Sequence, residues 1–404
     1  MGDDVPFCIL HFTFHNFYFT FLSMDGLSIR SLQLITVRWW NATAYYAVSL
    51  AQWLQKAGHP VWVAGNPDYP AQQKAQTLGI PTLPSLQLNR VSPWSILRNR
   101  ALLAQTIREK RIAVVNAHRP DDHFYFSLLR NSFPELVLVR TIGDVRPPKA
   151  HPINKWLHLQ ATDFFIFSCR ANLMRYREVW PIPEHRSAVI YSGIDTEAFS
   201  PTRNFMNLRR ELNIPNDAIV FGLIARFSPV KGHAVFLKAA TQLHRHHPEA
   251  YFLISGEEVE ISLADLQQQA QQLGIRSHVR FLPRQQDVRP LLNTIDVGVV
   301  CSLGSEAISR IATEYLAMGK PVIATRVNVL PEMIQDEREG FIVLPGDTEA
   351  LAARMETLLI HRELRLRMAQ QARRTATERF DQHHILQQTL QVYQQVMEKK
   401  RGQT

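Results

Sequence analysis

From residue 32 onward, short apolar runs rich in β-branched side chains alternate with longer stretches in which apolar residues recur at helical spacing. Continuous apolar runs suit strands covered on both faces, and their alternation with helices predicts an α/β protein built on parallel sheets. In the first half the predicted strands are LQLITV (32–37), VWVAG (61–65), IAVVNAH (112–118), LVLVRT (136–141), FFIFS (164–168) and AVIYSG (188–193). A helix is predicted over 43–57, stopped by Gly58 as helices often are.

The second half repeats the scheme. Its predicted strands are IVFGLIAR (219–226), YFLISG (251–256), VRFLP (279–283), VGVVCS (297–302) and PVIAT (321–325), with helices over 235–247, 263–273, 305–318 and 348–361. Between the halves, residues 195–205 carry Pro201, Thr202, Arg203 and Asn204 without sustained periodicity, which predicts a boundary between two doubly wound domains. The stretch 363–399 lacks Pro and Gly and is helical in composition.

A length of 404 residues agrees with two domains, and 46% hydrophobic with 20% charged residues excludes a disordered chain. A net charge of +9 suits phosphate-bearing partners: nucleotides, nucleic acid or an anionic membrane. Cys8, Cys169 and Cys301 are too scattered for a metal knuckle or disulfide framework, which favours a reducing, cytoplasmic setting. The apolar stretch 7–22 reads poorly as a signal or a span. Asp3 and Asp4 precede it, His11, His15 and Asn16 interrupt it, and it is short of the ~20 residues a spanning helix needs. Residues 1–23 are therefore an extension without an assigned role, with Met24 an alternative start.

Ligands of open α/β sheets bind beyond the carboxyl ends of the strands, so the residues after each strand carry the candidate chemistry. Ala225-Arg226-Phe227-Ser228-Pro229-Val230-Lys231-Gly232 sets two cations at a strand end and opens a helical segment, an arrangement suited to a diphosphate and equally to a solvated basic loop. After VGVVCS comes Ser305-Glu306-Ala307-Ile308-Ser309-Arg310-Ile311-Ala312-Thr313-Glu314. Read as a helix capped by Ser305, it separates Glu306 from Glu314 by ~12 Å along the axis and ~80° around it. That is the reach from the sugar to the ribose of a nucleoside diphosphate sugar, and carboxylates accept well from diols. Two exposed helix glutamates are the plain alternative. His118 ends a strand of the other half and is a candidate for the cleft, or a structural histidine; no zinc-ligand spacing surrounds it.

With these residues in place, the chain resembles the retaining glycosyltransferases of family 4, with the two-domain GT-B fold. VIYSGIDTEAFSP resembles their interdomain segment, ARFSPVKGH their phosphate-binding loop, SEAISRIATEYLAMGKPVIAT their paired-glutamate segment, and GFIVLPGD the segment next along their chain. The resemblance implies an acceptor domain over 24–194, a nucleotide-sugar domain over 195–380 and a last helix, 381–404, crossing back to the first domain on the strength of Arg379-Phe380-Asp381.

It further implies that Arg226 and Lys231 neutralise the donor diphosphate, that Glu306 holds the transferring sugar and Glu314 the ribose, and that Ala307, Ile308 and Ser309 offer backbone amides. Asn41, Ala42 and Thr43 stand in the first loop, facing donor phosphate and acceptor, where glycines are frequent, and His118 reaches toward the sugar. No cofactor and no essential metal is implied. The leaving phosphate accepts the acceptor's proton in a front-face displacement, with basic residues stabilising the departing charge.

The fold also admits a nucleotide-sugar epimerase or a sugar phosphorylase, and the charge a nucleic-acid-binding protein, for which no recognition signature is present. Arg98, Arg100, Arg108, Lys110 and Arg111 around Trp94, Ile96, Leu97 and Leu102 form a basic surface that suits anionic lipid or plain solvation. On lipid, the enzyme would sit on the inner face of the cytoplasmic membrane and build a lipid-linked or cell-surface saccharide such as lipopolysaccharide.

Overall fold

The computed structural model describes residues 28–83, 86, 88 and 92–402; the apolar stretch 7–22, Cys8 and Met24 lie outside the described residues. The first sheet contains β1 (Ser31–Leu34), β2 (Val61–Ala64), β3 (Thr82–Leu83), β4 (Val114–Ala117), β5 (Val137–Ile142), β6 (Phe164–Phe167) and β7 (Ser187–Val189), ordered β3-β2-β1-β4-β5-β6-β7. The second contains β8 (Val220–Ile224), β9 (Tyr251–Gly256), β10 (Val279–Pro283), β11 (Val297–Val300), β12 (Val322–Thr325) and β13 (Gly340–Val343), ordered β10-β9-β8-β11-β12-β13. Every pairing within them is parallel. In each sheet the order reverses beside the first strand, so a crevice opens at the carboxyl ends of β1 and β4 and of β8 and β11. The apolar runs are buried as parallel strands require: every residue of β4, β5, β6 and β11 is buried.

Gly298 lets the helix Arg310–Ala317 lie close to its sheet, and Gly222 makes room for Ile295 ahead of β11. A Cβ at Gly298 would stand 2.4 Å from the Tyr315 ring, and one at Gly222 2.2 Å from Ile295. Tyr315, on the helix Arg310–Ala317, donates from its hydroxyl to the Gly222 carbonyl at 2.8 Å. The helix is thereby pressed across β8 and β11, with Arg310 at its start.

The chain passes between the domains at two adjacent points. Ile194 donates to the Phe380 carbonyl at 2.8 Å and accepts from the Gln382 amide at 2.9 Å. These bonds draw on the backbone that a continuous helix over 363–399 would use for itself. The helical stretch accordingly ends at Thr375, passes through a wide turn at Ala376–Phe380, and restarts as Gln382–Arg401 with Asp381 as its cap. That last helix lies on the first sheet: Tyr393 takes hydrogen bonds from Gln33 (3.4 Å) and Asn116 (3.1 Å), while Ile385, Leu386, Leu390 and Val396 enter the core around β1 and the helix Ala42–Lys56.

One predicted element is corrected at the centre of interest. The helix expected over 305–318 begins only at Arg310, and Ser305 does not cap it. The Glu306 carbonyl accepts from the Val329 amide at 3.0 Å and the Ala307 carbonyl from the Ser168 hydroxyl at 2.9 Å. These carbonyls are held by distant parts of the chain, and residues 305–309 form a bent loop. The helical arithmetic that separated Glu306 from Glu314 therefore does not apply.

Candidate active site

The site is assembled from the ends of β8 and β11. After β8 the chain turns through Pro229–Lys231 into the helix His233–His246, and Gly232 joins the two with φ at +75°. A Cβ there would stand 2.0 Å from the Cys301 carbonyl oxygen. Only glycine permits both the conformation and the approach. The Cys301 thiol donates to the Gly232 carbonyl at 3.2 Å and the Leu303 amide to the Val230 carbonyl at 2.8 Å, so the loop is fastened to the segment after β11.

That fastening brings Lys231 to Glu306. Their side chains form an ion pair, and the Ser302 hydroxyl donates to the same carboxylate oxygen at 2.6 Å. Glu306 is 5% exposed. Glu314, one helical turn beyond Arg310, is 3% exposed, and its carboxylate accepts from Arg310 Nε at 2.6 Å. Burial pushes the Glu314 carboxyl up, and the Arg310 charge opposes the shift. The Arg310 guanidinium also lies 4.7 Å from the centre of the Tyr45 ring, on the first helix of the other domain.

Lys231, Ser302, Glu306 and Arg310 line a cavity of about 170 Å³ together with Ala42, Ala225 and Ser309 among others, and Glu314 is not among its lining residues. The Ser309 hydroxyl is buried and without a partner, and no carbonyl among the described residues accepts from the Ala307, Ile308 or Ser309 amides. Uncommitted donors beside Lys231 and Arg310 suit an anion.

The sequence-derived candidates divide into those the cavity unites and those it does not. Lys231, Glu306, Ile308, Ser309 and Ala42 line it. Ala307, between Glu306 and Ile308 in the chain, is not among the lining residues. Thr43 is outside the lining and donates to the Gly143 carbonyl at 3.3 Å, where a Cβ on Gly143 would stand 2.8 Å from Ile308. Asn41 is spent on capping its own helix, accepting from the Ala44 amide at 3.0 Å. Arg226 is exposed at the end of β8, outside the lining.

His118 is buried in the first domain, with Nε2 3.0 Å from the Gln33 side chain and Nδ1 without a partner. Burial and the Arg140 charge push its imidazole down to about 3, so it is neutral. Arg310 and Ser302 were not singled out in the sequence. The one sequence signal for Arg310 is its i,i+4 spacing from Glu314; Ser302 comes after a buried strand, as many unremarkable residues do.

Residues 43–198 match the family profile Glycosyltransferase Family 4, and residues 204–375 match Glycosyl transferases group 1. A D-inositol 3-phosphate glycosyltransferase of Corynebacterium urealyticum is 30% identical over 261 residues, 62% of this chain and 61% of that protein. The lipopolysaccharide core biosynthesis glycosyltransferase LpsE of Rhizobium meliloti is 31% identical over 46% of this chain and 52% of its own length. The chain thus aligns with less than two thirds of either relative.

Among solved structures, a glycosyltransferase from Rickettsia africae superimposes with a TM-score of 0.82 over 92% of this chain and 99% of its own, at 20% identity. Anabaena HepE in complex with UDP gives 0.78 over 91% and 100%, also at 20%. At that identity the likeness is one of fold. With the two profiles meeting at the interdomain segment and the fold shared along nearly the whole chain, the protein belongs to the group 1, family 4 glycosyltransferases of the two-domain GT-B fold.

Proposed function

We propose that the protein is a retaining, metal-independent glycosyltransferase that moves a sugar from a nucleoside diphosphate sugar to a saccharide or lipid-linked acceptor. The observation that carries this reading is the pair of carboxylates, Glu306 and Glu314, each held by its own cation beside uncommitted amides and the free Ser309 hydroxyl. Lys231, with Arg226 swinging in from its exposed position, takes the diphosphate. Glu306 takes sugar hydroxyls once the diphosphate has drawn Lys231 away, and Glu314 exchanges Arg310 for the ribose. Ala307, Ile308 and Ser309 contribute amides. Asn41, Ala42 and Thr43 face the donor phosphate from the first domain.

His118, neutral at physiological pH, serves as a hydrogen-bond partner for the sugar through Nδ1. The cations stabilise the departing diphosphate, which accepts the acceptor's proton. HepE, crystallised with UDP and glucose, supports a nucleotide sugar as the donor, and LpsE supports a cell-surface saccharide as the product. The domain limits that fit this division of labour are 24–194 with 381–404, and 195–380.

The acceptor domain also offers a surface for anionic lipid, as an enzyme on the inner face of the cytoplasmic membrane would need. On the helix Pro93–Lys110, Trp94 is 83% and Leu97 58% exposed, alongside exposed Arg98 and Arg100. No helix among the described residues is long and apolar enough to cross a membrane.

Thermal shifts with UDP-, GDP- and ADP-sugars identify the donor, since a ligand at about 100 times its dissociation constant stabilises by ~2.7 kcal/mol. Transfer from that donor in EDTA, with retained anomeric configuration, is the expected outcome. Inhibition by EDTA that only Mg²⁺ or Mn²⁺ reverses would overturn the metal-independent reading, and absence of any donor shift would overturn the reading as a whole. Sedimentation with anionic but not zwitterionic vesicles is expected, and should be lost in a Trp94→Ala, Leu97→Ala double variant.

A further inference from the structure

Glu332 makes an unusual set of bonds for a short-helix glutamate. It lies on the turn Leu330–Met333 of the second domain, where Leu330 and Met333 are buried in the core and fix the turn. Its carboxylate crosses to the first domain and accepts from the Arg170 amide at 2.7 Å and the Ala171 amide at 2.9 Å. These are the opening amides of the helix Arg170–Val179, whose own preceding residue, Cys169, supplies no side-chain cap. The Tyr191 hydroxyl donates to the same carboxylate at 3.0 Å. A helix start lacking a cap of its own is thus capped by an anion from the opposite domain, where the helix dipole favours negative charge.

Both ends of this bridge lead to the Glu306 loop. Three residues before Glu332, the Val329 amide donates to the Glu306 carbonyl at 3.0 Å. Two residues before Arg170, the Ser168 hydroxyl donates to the Ala307 carbonyl at 2.9 Å. Beside them, Arg175 of the capped helix donates to the Asn328 side chain at 2.7 Å. The carbonyls of the loop that carries Glu306 are held from both domains: Ser168 of the first holds Ala307, while from the second Val329 holds Glu306, Lys231 reaches Ser305 (3.5 Å) and Asn328 reaches Gly304 (3.4 Å); Val329 and Ser168 are the holders that flank the bridge. Glu332 ties the two holders together.

We infer that Glu332 is a positioning residue that fixes the Glu306 loop for sugar transfer by capping a helix of the opposite domain. This rests on the glycosyltransferase reading for its consequence in activity, though not for its mechanics. Loss of the carboxylate frees the two domains to shift against each other and loosens the loop, while Lys231 and Glu314 keep their places on the second domain alone. A displacement of ~1 Å at a reacting group is enough to cost up to 10²-fold in rate.

The test compares wild type with Glu332→Ala, Glu332→Gln and Ser168→Ala. Expected for Glu332→Ala are a fall of at least about tenfold in kcat for transfer, free nucleoside diphosphate affinity within about twofold of wild type, and faster amide hydrogen exchange at Val329, whose amide holds the Glu306 carbonyl. Glu332→Gln retains one acceptor oxygen and should recover part of both kcat and protection, and Ser168→Ala should show the same pattern in milder form. If Glu332→Ala does not fold, the Gln and Ser168 variants carry the test by themselves. Unchanged exchange at Val329 overturns the proposal whatever the activity, and so does a loss of nucleotide affinity in step with kcat. Wild-type protein that transfers from no nucleoside diphosphate sugar would overturn the functional reading instead, leaving the exchange comparison to decide the mechanical one.

Discussion

At the scale of single residues, the candidate site pairs each of its two buried carboxylates with a cation. Lys231 and Glu306 are paired; under the proposed function, a diphosphate that takes Lys231 would also release Glu306 for the sugar. Lys231→Ala should weaken nucleoside diphosphate binding and slow transfer by about 10²–10³-fold, the usual cost of one preorganised electrostatic donor. Glu306→Gln should slow transfer while leaving affinity for the free nucleoside diphosphate at or above wild type, because Lys231 loses its internal competitor. Titration calorimetry with single-turnover assays separates the two; an equal loss of nucleotide affinity in both variants would sink the assignment.

Buried histidines give the protein a second, pH-dependent property. Burial, first of all, holds His118 at about 3 and His158 and His233 at about 4, all below the ordinary value of 6.5. Groups depressed in the folded state contribute stability that is complete above the unfolded value and is lost as pH falls toward the folded one. Each adds a slope of up to ~1.4 kcal/mol per pH unit below pH 6.5. Asp122 works the other way: burial raises it to about 7, so its share is complete below the unfolded value and is lost as pH rises toward 7. Burial also lowers His123 and raises Glu314, so four histidines against two carboxyls predict a protein less stable at pH 5 than at pH 7 in urea denaturation; equal midpoints would contradict the buried, neutral imidazoles.

At the scale of elements, the phosphate-side loop and the paired-glutamate segment depend on backbone contacts that side-chain patterns do not reveal. Gly232 is the clearest case. Gly232→Ala puts a methyl group against the Cys301 carbonyl and imposes φ of +75° on a residue that resists it, which should push Lys231 away from Glu306. The expected result is a loss of nucleotide affinity comparable to Lys231→Ala, with a folded second domain by circular dichroism. Wild-type affinity in this variant would show that the close approach is dispensable. Most strands were legible from apolar runs, because parallel strands covered on both faces need little else. β3 (Thr82–Leu83) escaped because two residues carry no period, and the 305–309 loop because its composition suits a helix while its carbonyls bond elsewhere.

At the scale of the molecule, the two domains are joined by adjacent crossings and by the last helix, which completes the first domain. Lys400, near its end, pairs with Asp163 at 2.8 Å, and Tyr393 sits within the core. Truncation after Asp381 should expose that core and abolish soluble expression or active-site assembly, even though the removed segment contains none of the candidate site residues. Activity retained in the truncated chain would show that the first domain folds without it.

By itself the sequence determined the class of fold, the two-domain plan and the family, and it singled out the segments that border the candidate site, since hydrophobic period and residues after buried strands survive in one dimension. The tertiary structure decided how those segments meet. It bent the predicted helix start into a loop, paired Lys231 with Glu306 and Arg310 with Glu314, kept His118 within the first domain, and brought Glu332 to a helix 162 residues earlier in the chain. The reason is that a buried carbonyl or carboxylate takes whichever donor the packed domains bring to it, and that partner is set by the approach of one element to another rather than by the residues beside it.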